Sequence, residues 1–351
     1  MFIDFQKNKK YFLPVVFLII VFLFCYFLIN KNPEQKNIVW GVNFSQKQTE
    51  SLGLDWKETY SALISLGFKK IKIATYWNLI EKEEGKYNFD DLDWQIKEAE
   101  NTGVKILLAI GMKTPRWPEC HMPEWVKNQD VDARNQKLLE HIEKIVNRYK
   151  DSTAISVWQV ENEPFFTFGE CPKIEKDFIK KEISLVKSLD LRGRNVVISD
   201  SGEYSLWIKP AQLGDVVGIT LYRKVWFSPL EGIQKSLLGA KKISFYVNYP
   251  LFPIFYRQRA WIIKKLFNKE VINVEFQAEP WGPGASQDLS RQEWEKTMSL
   301  DRFKKNIEFA KKTGFSEFYF WGGEWWYWLK TKQNDSSIWE EAGKMLKTYN
   351  L

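Results

Sequence analysis

From Ile38 onward two patterns alternate: short, nearly unbroken apolar runs, and longer stretches whose apolar residues recur every three or four positions. The short runs are Ile38–Asn43, Lys70–Ala74, Lys105–Ile110, Ile155–Val160, Asn195–Ser199, Val216–Leu221, Val271–Glu275 and Glu317–Trp321. Their length and apolar character predict strands buried on both faces. The intervening stretches Trp56–Leu66, Leu92–Thr102, Asn135–Tyr149, Ile174–Leu189, Ile254–Phe267 and Arg302–Thr313 predict amphipathic helices, and Glu340–Thr348 closes the chain. Eight strand–helix units predict an α/β fold, a (β/α)8 TIM barrel over residues 38–351. A doubly wound sheet would bring a glycine-rich phosphate turn after its first strand, and Gly41-Val-Asn-Phe is not one. One connection is long: Lys224–Pro253 follows the sixth strand and carries Trp226, Phe227, Phe245, Tyr246, Tyr249 and Phe252. A loop of this length is expected to wall a substrate cleft, with rest on the membrane surface as the alternative.

The first residues follow a different rule. Tyr11–Ile29 has no charge and approaches the roughly 20 apolar residues that cross a bilayer. Lys7, Lys9 and Lys10 precede it, so positive-inside bias predicts a cytoplasmic segment 1–10, one transmembrane helix 11–29, a linker 30–37 and an extracytoplasmic domain. Bulky Phe24, Tyr26, Phe27, Leu28 and Ile29 at its end argue for an uncleaved anchor over a cleaved signal peptide.

Composition changes this picture little. The net charge of +7 comes from lysines scattered along helices, such as Lys180-Lys181 and Lys311-Lys312, which reads as solvated faces and not as a nucleic-acid stripe. Of three cysteines, Cys25 lies in the anchor. Cys120 and Cys171 fall in loops at one end of the fold and are candidates for a disulfide in an oxidising compartment. Two histidines give little support to a metal-dependent or Ser-His mechanism. His141 on a helix is expected to be exposed, and His121 at the barrel mouth to touch substrate.

In such barrels the chemistry sits at the C-terminal ends of the strands. Asn162-Glu163-Pro164 follows the fourth strand, and Glu275 ends the seventh. Two carboxylates across one mouth are what cleavage of a glycosidic bond requires. Glu279, in Gln277-Ala-Glu-Pro-Trp281, competes with Glu275 for the nucleophile's place, or makes a substrate contact or an ion pair. Asp200-Ser-Gly-Glu203 is either a binding or a structural loop. Of the tryptophans, Trp56 and Trp94 read as core, whereas Trp77, Trp117, Trp125, Trp226, Trp281, Trp325 and Trp326 lie in segments after strands, where aromatic faces suit sugars.

These residues resemble clan A of the glycoside hydrolases, retaining (β/α)8 enzymes that include cellulase-like and β-galactosidase-like families, over Ile38 to Leu351. The resemblance implies Glu163 as acid/base, Glu275 as nucleophile and Asn162 as the contact to the sugar 2-hydroxyl. Tyr222 in Thr220-Leu-Tyr222 is similar to the tyrosine that hydrogen-bonds the nucleophile, and Trp321 to the clan's aromatic platform. Trp77 and the residues up to Phe89 look like the clan's segment after strand two. The chain departs from the clan at Lys72, where arginine is common, and at Thr220, where histidine is common. The activity implied is retaining hydrolysis of an extracellular or envelope polysaccharide, without a cofactor. A transglycosylase with the same pair, or a silent polysaccharide-binding barrel, are the alternatives.

Overall fold

The structure, a computed structural model, describes residues 14–18, 20, 21, 37–228 and 244–349. Eight parallel strands close into a barrel: β1 (Val39–Asn43), β2 (Lys70–Ala74), β3 (Lys105–Ile110), β4 (Ile155–Val160), β5 (Val196–Asp200), β6 (Val216–Leu221), β9 (Glu270–Gln277) and β10 (Glu317–Trp321). Each strand pairs with its sequential neighbour in the barrel, and β10 returns to β1. All eight predicted strands are present. Two further strands, β7 (Lys224–Phe227) and β8 (Phe245–Asn248), form an antiparallel hairpin inside the long connection, which alternation of bulky aromatics did not announce as strands.

The two faces of each barrel strand obey the two-residue period. Ile106, Leu108 and Ile110 of β3, Val196 and Ile198 of β5, and Phe318 and Phe320 of β10 face the helices in the larger core. Leu107, Val197, Ile272, Val274 and Tyr319, from the alternate positions, form a separate cluster that fills the barrel interior. Helices occupy each predicted stretch, and side-chain caps explain several starts. Asp55 accepts from the Glu58 amide before Trp56–Ser65, and Asp130 accepts from the Ala133 amide before Val131–Tyr149, four residues earlier than periodicity predicts.

Most of the expected anchor 11–29, with residues 1–10 and 30–36, lies outside the described residues. Among the described residues no helix is long and apolar enough to cross a membrane, so the expected transmembrane helix has no structural support.

Candidate active site

Strand ends bring the predicted pair together. Glu275 lies on β9 opposite Thr220 of β6 in the ladder, and the Thr220 hydroxyl donates to Glu163 Oε1 at 3.2 Å. One threonine thus links the residue after β4 with the strand that carries its partner. Strand β9 continues two residues past Glu275, and the Gln277 side chain accepts from the Arg223 and Lys224 amides. Both carboxyl groups are buried, yet they are held differently. Glu275 receives Lys72 Nζ on Oε1 and the Tyr222 hydroxyl on Oε2, each at 3.1 Å. Among the described residues no ion pair is made to the Glu163 carboxyl, and the charge of Lys113 only partly offsets the shift of its pKa. Burial first, then the charges of Glu275 and Glu119, push its pKa well above the usual carboxylate range. One group is held by a cation and a phenol, and the other is placed to keep a proton.

Backbone geometry aims this second group. Of seven non-glycine residues with positive φ among the described residues, four line the site: Arg116, Glu119, Glu161 and Glu163. Such conformations cost energy and persist where the surroundings over-determine them. Here the surroundings are explicit. The Glu163 amide donates to Ser199 Oγ at 2.9 Å, and Lys113 Nζ donates to the Glu163 and Phe166 carbonyls at 3.1 and 2.8 Å. The Glu161 carboxylate accepts the amides of Met112 and Lys113 at 2.9 and 2.5 Å. Gly111 is required beside it, since a Cβ there would sit 2.5 Å from Glu161 Oε1.

Asn162 is fixed on both sides. Its Oδ1 accepts from Gln159 Nε2 at 3.1 Å, and its Nδ2 donates to Glu119 Oε2 at 3.1 Å. Glu119 is a third carboxyl in the site, raised to about 8 by burial and then by the charge of Glu275. It comes from the loop after β3, which the Cys120–Cys171 disulfide ties to the loop after β4. The same loop supplies Arg116, whose guanidinium joins Glu279 and Glu324, the latter at 3.2 Å, and lies 3.9 Å from the centre of the Trp321 ring. Arg116 covers this face of Trp321, leaving only a small gap beside Lys72 and Tyr76.

The other predicted residues divide. Glu279 pairs with Arg116, the ion-pair alternative among its readings. Trp281 packs edge-on against Tyr222 at 5.0 Å, on the Glu275 side of the site. Trp77 is a correction: it is wholly buried, and its Nε1 donates to Glu81 Oε2 at 2.7 Å, so it faces the core and no cleft. His141, expected to be exposed, is also buried, stacked on Trp77 at 5.1 Å and lowered to about 3 by desolvation. His121 lies beneath the loop, with Nε2 3.0 Å from the Arg116 carbonyl, so it supports the arginine and has no open face. Trp325 and Trp326 are core, whereas Trp117 is exposed near Phe168. Glu203 accepts from the Tyr222 amide and the Tyr256 hydroxyl, and Asp200 from Ser205, so their loop is structural. Sequence reasoning missed Lys113, Arg116, Glu119, Glu161 and Ser199 as site residues. The signal available was the density of charge between Met112 and His121 on a loop after a barrel strand. Among the described residues no cluster of His, Cys, Asp and Glu is arranged to hold a metal ion.

Comparison with known proteins bears on this geometry. The family described as beta-galactosidase, glycoside hydrolase 42, matches residues 47–189, a span that includes Asn162-Glu163-Pro164 and stops before Glu275. Beta-galactosidase LacA of Lactobacillus acidophilus is 28% identical over 193 residues, covering 46% of this chain and 28% of that protein. Endo-1,4-beta-xylanase 3 of Hypocrea jecorina is 27% identical over 201 residues, covering 53% of this chain and 54% of that protein. The chain therefore spans about a quarter to a half of the length of these relatives. Among solved structures, GH5_18 from Bifidobacterium longum aligns with a TM-score of 0.59 at 13% identity, covering 90% of this chain and 80% of that one. Xylanase 10B from Thermotoga maritima aligns with a TM-score of 0.55 at 15% identity, covering 81% and 83%. The matched sequences are those of glycoside hydrolases and the aligned structures share the (β/α)8 barrel, so this chain is a (β/α)8 barrel similar to clan A of the glycoside hydrolases.

Proposed function

We propose that the chain is a retaining glycoside hydrolase acting on a β-linked sugar. The observation that carries this reading is the asymmetry of the carboxyl pair: Glu275 is held by Lys72 and Tyr222, while Glu163 is pushed up by burial beside it. Glu163 donates its proton to the departing glycosidic oxygen as the Glu275 carboxylate bonds to the anomeric carbon. Glu163, now ionised, then takes a proton from the water that displaces Glu275, and both groups return to their starting states. Asn162, fixed by Gln159 and Glu119, stands beside the acid to bind the sugar hydroxyl next to the reacting carbon. Names of the relatives, beta-galactosidase and endo-1,4-beta-xylanase, support galactosides and xylosides as the first substrates to try.

We further propose that the domain works outside the cytoplasm on an envelope or extracellular glycan, held by the apolar run 11–29. The disulfide between Cys120 and Cys171 supports an oxidising compartment.

Aryl β-galactoside and β-xyloside cleavage by wild type, Glu163→Gln, Glu275→Ala and Glu279→Ala tests the assignment. Loss of the pair is expected to lower kcat by three orders of magnitude or more, as for groups acting in covalent catalysis, roughly. Full activity in Glu275→Ala with loss in Glu279→Ala would transfer the nucleophile's role and sink the proposed mechanism.

A further inference from the structure

Lys113 is a buried cation that the proposed mechanism leaves unused. It stands just past the end of β3, and each of its polar groups is bound to one segment of chain. Its amide donates to Glu161 Oε2 at 2.5 Å, and its carbonyl accepts the Asn162 amide at 2.6 Å. Its Nζ donates to the Glu163 carbonyl at 3.1 Å and to the Phe166 carbonyl at 2.8 Å. The Phe166 amide closes a turn onto that same Glu163 carbonyl at 2.9 Å. Glu163 needs such a grip. Its φ of 43° lies in the left-handed region, where any side chain is strained, so an unheld backbone would relax and re-aim the carboxyl.

The charge matters beside the bonds. The Lys113 ammonium makes no ion pair among the described residues, yet it acts on carboxyls from three parts of the chain. These are Glu119 in its own loop, Glu161 and Glu163 after β4, and Asp200 at the end of β5. Glu163 in turn faces Glu275 on β9, Glu119, Asp200, and the phenols of Tyr222 after β6 and Tyr249 after β8. After burial itself, the carboxyls hold the proton on Glu163, and Lys113 opposes them. Two carbonyls could be satisfied by a neutral donor at lower desolvation cost, so a buried ammonium at this place points to use of its field.

We propose that Lys113 is a positioning residue for the acid/base: its hydrogen bonds aim the Glu163 carboxyl, and its charge eases release of the proton to the leaving oxygen. An acid that holds its proton too tightly donates poorly, so the cation sets the balance between keeping and giving. The inference rests on the role proposed for Glu163.

Two variants of the full chain test it. Lys113→Met removes the charge and both side-chain bonds, and Lys113→Gln keeps a donor without the charge. The second serves where a thermal melt shows the first unfolded. The measurement is kcat/KM on aryl β-galactosides or β-xylosides whose leaving groups run from dinitrophenol to phenol. A dinitrophenolate departs without a proton and bypasses the acid, whereas a phenolate needs one. Loss should be roughly 10- to 100-fold on the phenyl glycoside, part of what a general acid supplies, and under about threefold on the dinitrophenyl glycoside. The alkaline limb of the phenyl glycoside profile should also move to higher pH, because removing a cation strengthens the hold of Glu163 on its proton. Equal losses along the series, or an unmoved limb, leave Lys113 a structural clamp and overturn the proposal, as does failure of both variants to fold. A wild type that cleaves none of the series overturns the proposed function itself, and the inference falls with it.

Discussion

Tyr222→Phe isolates the arrangement around Glu275, the proposed nucleophile. The hydroxyl removed donates to Glu275 Oε2 at 3.1 Å, and the ring it leaves behind still packs edge-on against Trp281 at 5.0 Å. The backbone amide of residue 222 keeps its bond to Glu203 at 2.9 Å. The substitution therefore deletes one hydrogen bond to an ionised group and little else. Such a bond contributes about 1.5–3 kcal/mol, which corresponds to a loss of roughly 10- to 150-fold in kcat/KM. Steady-state kinetics on an aryl glycoside measure it, with a thermal melt as control for the fold. A second readout is the pH profile. Burial, then the charges of Glu275, Glu163 and Glu279, raise the Tyr222 pKa well above its usual value, so the phenol remains a donor through the working range. The alkaline limb accordingly belongs to loss of the Glu163 proton, and Tyr222→Phe should retain it. A loss below about threefold, or disappearance of the alkaline limb, would refute this account of the site.

Three further outcomes follow from other parts of the fold. Replacing Cys120 and Cys171 by serine opens a 51-residue loop and should cost about 4 kcal/mol on a chain-entropy estimate; an unshifted urea midpoint would show that the bridge adds nothing. Glu182 is raised well above the usual range, by burial first and then by the charge of Glu161. Its folded pKa exceeds its unfolded one, so the stability tied to its proton is full below about pH 4.5 and is lost as pH rises towards the folded pKa, at up to roughly 1.4 kcal/mol per pH unit. Glu182→Gln should flatten that decline between pH 5 and 8, and an equally steep decline counts against the buried proton. Arg116→Met leaves Glu279 and Glu324 buried without their cation, at a cost of about 3–5 kcal/mol by denaturant melt. Glu324 is pushed up to about 7 by burial, so the cost should be smaller at pH 5.5 than at pH 8; a pH-independent cost contradicts the ion-pair explanation.

What was legible in the sequence followed from the barrel's own regularity. Strands buried on both faces read as apolar runs, and parallel closure then assigns every strand end to one mouth, so Glu163 and Glu275 could be placed together from spacing, while Tyr222 was added by the clan resemblance. The loop after β3 obeys no such period. Arg116 and Glu119 reach the site through positive-φ backbone and a disulfide to another loop, features that no local pattern encodes. Trp77 and His141 misled for the converse reason. They look like surface or cleft residues along the chain, yet Trp77 and Tyr87 cover the His141 ring from the segment after β2, at centroid distances of 5.1 and 6.0 Å. Long-range packing of that kind is set by tertiary contact, and helix periodicity carries no trace of it.

The two departures from the clan become intelligible only in three dimensions. Lys72 puts its ammonium on Glu275 Oε1 at 3.1 Å, so a cation still faces the proposed nucleophile where arginine is common. Thr220 is the sharper case. The loop after β5 approaches β6 so closely that a Cβ on Gly202 would sit 1.8 Å from the Thr220 carbonyl oxygen. Against that backbone, a short side chain suffices to reach both neighbours: the Thr220 hydroxyl accepts the Gly202 amide at 3.1 Å and donates to Glu163 at 3.2 Å. Threonine adds no titrating group beside Glu163, whereas histidine would add one. The acid's elevated pKa then depends on burial and on the carboxylates Glu275 and Glu119, with no imidazole in the balance.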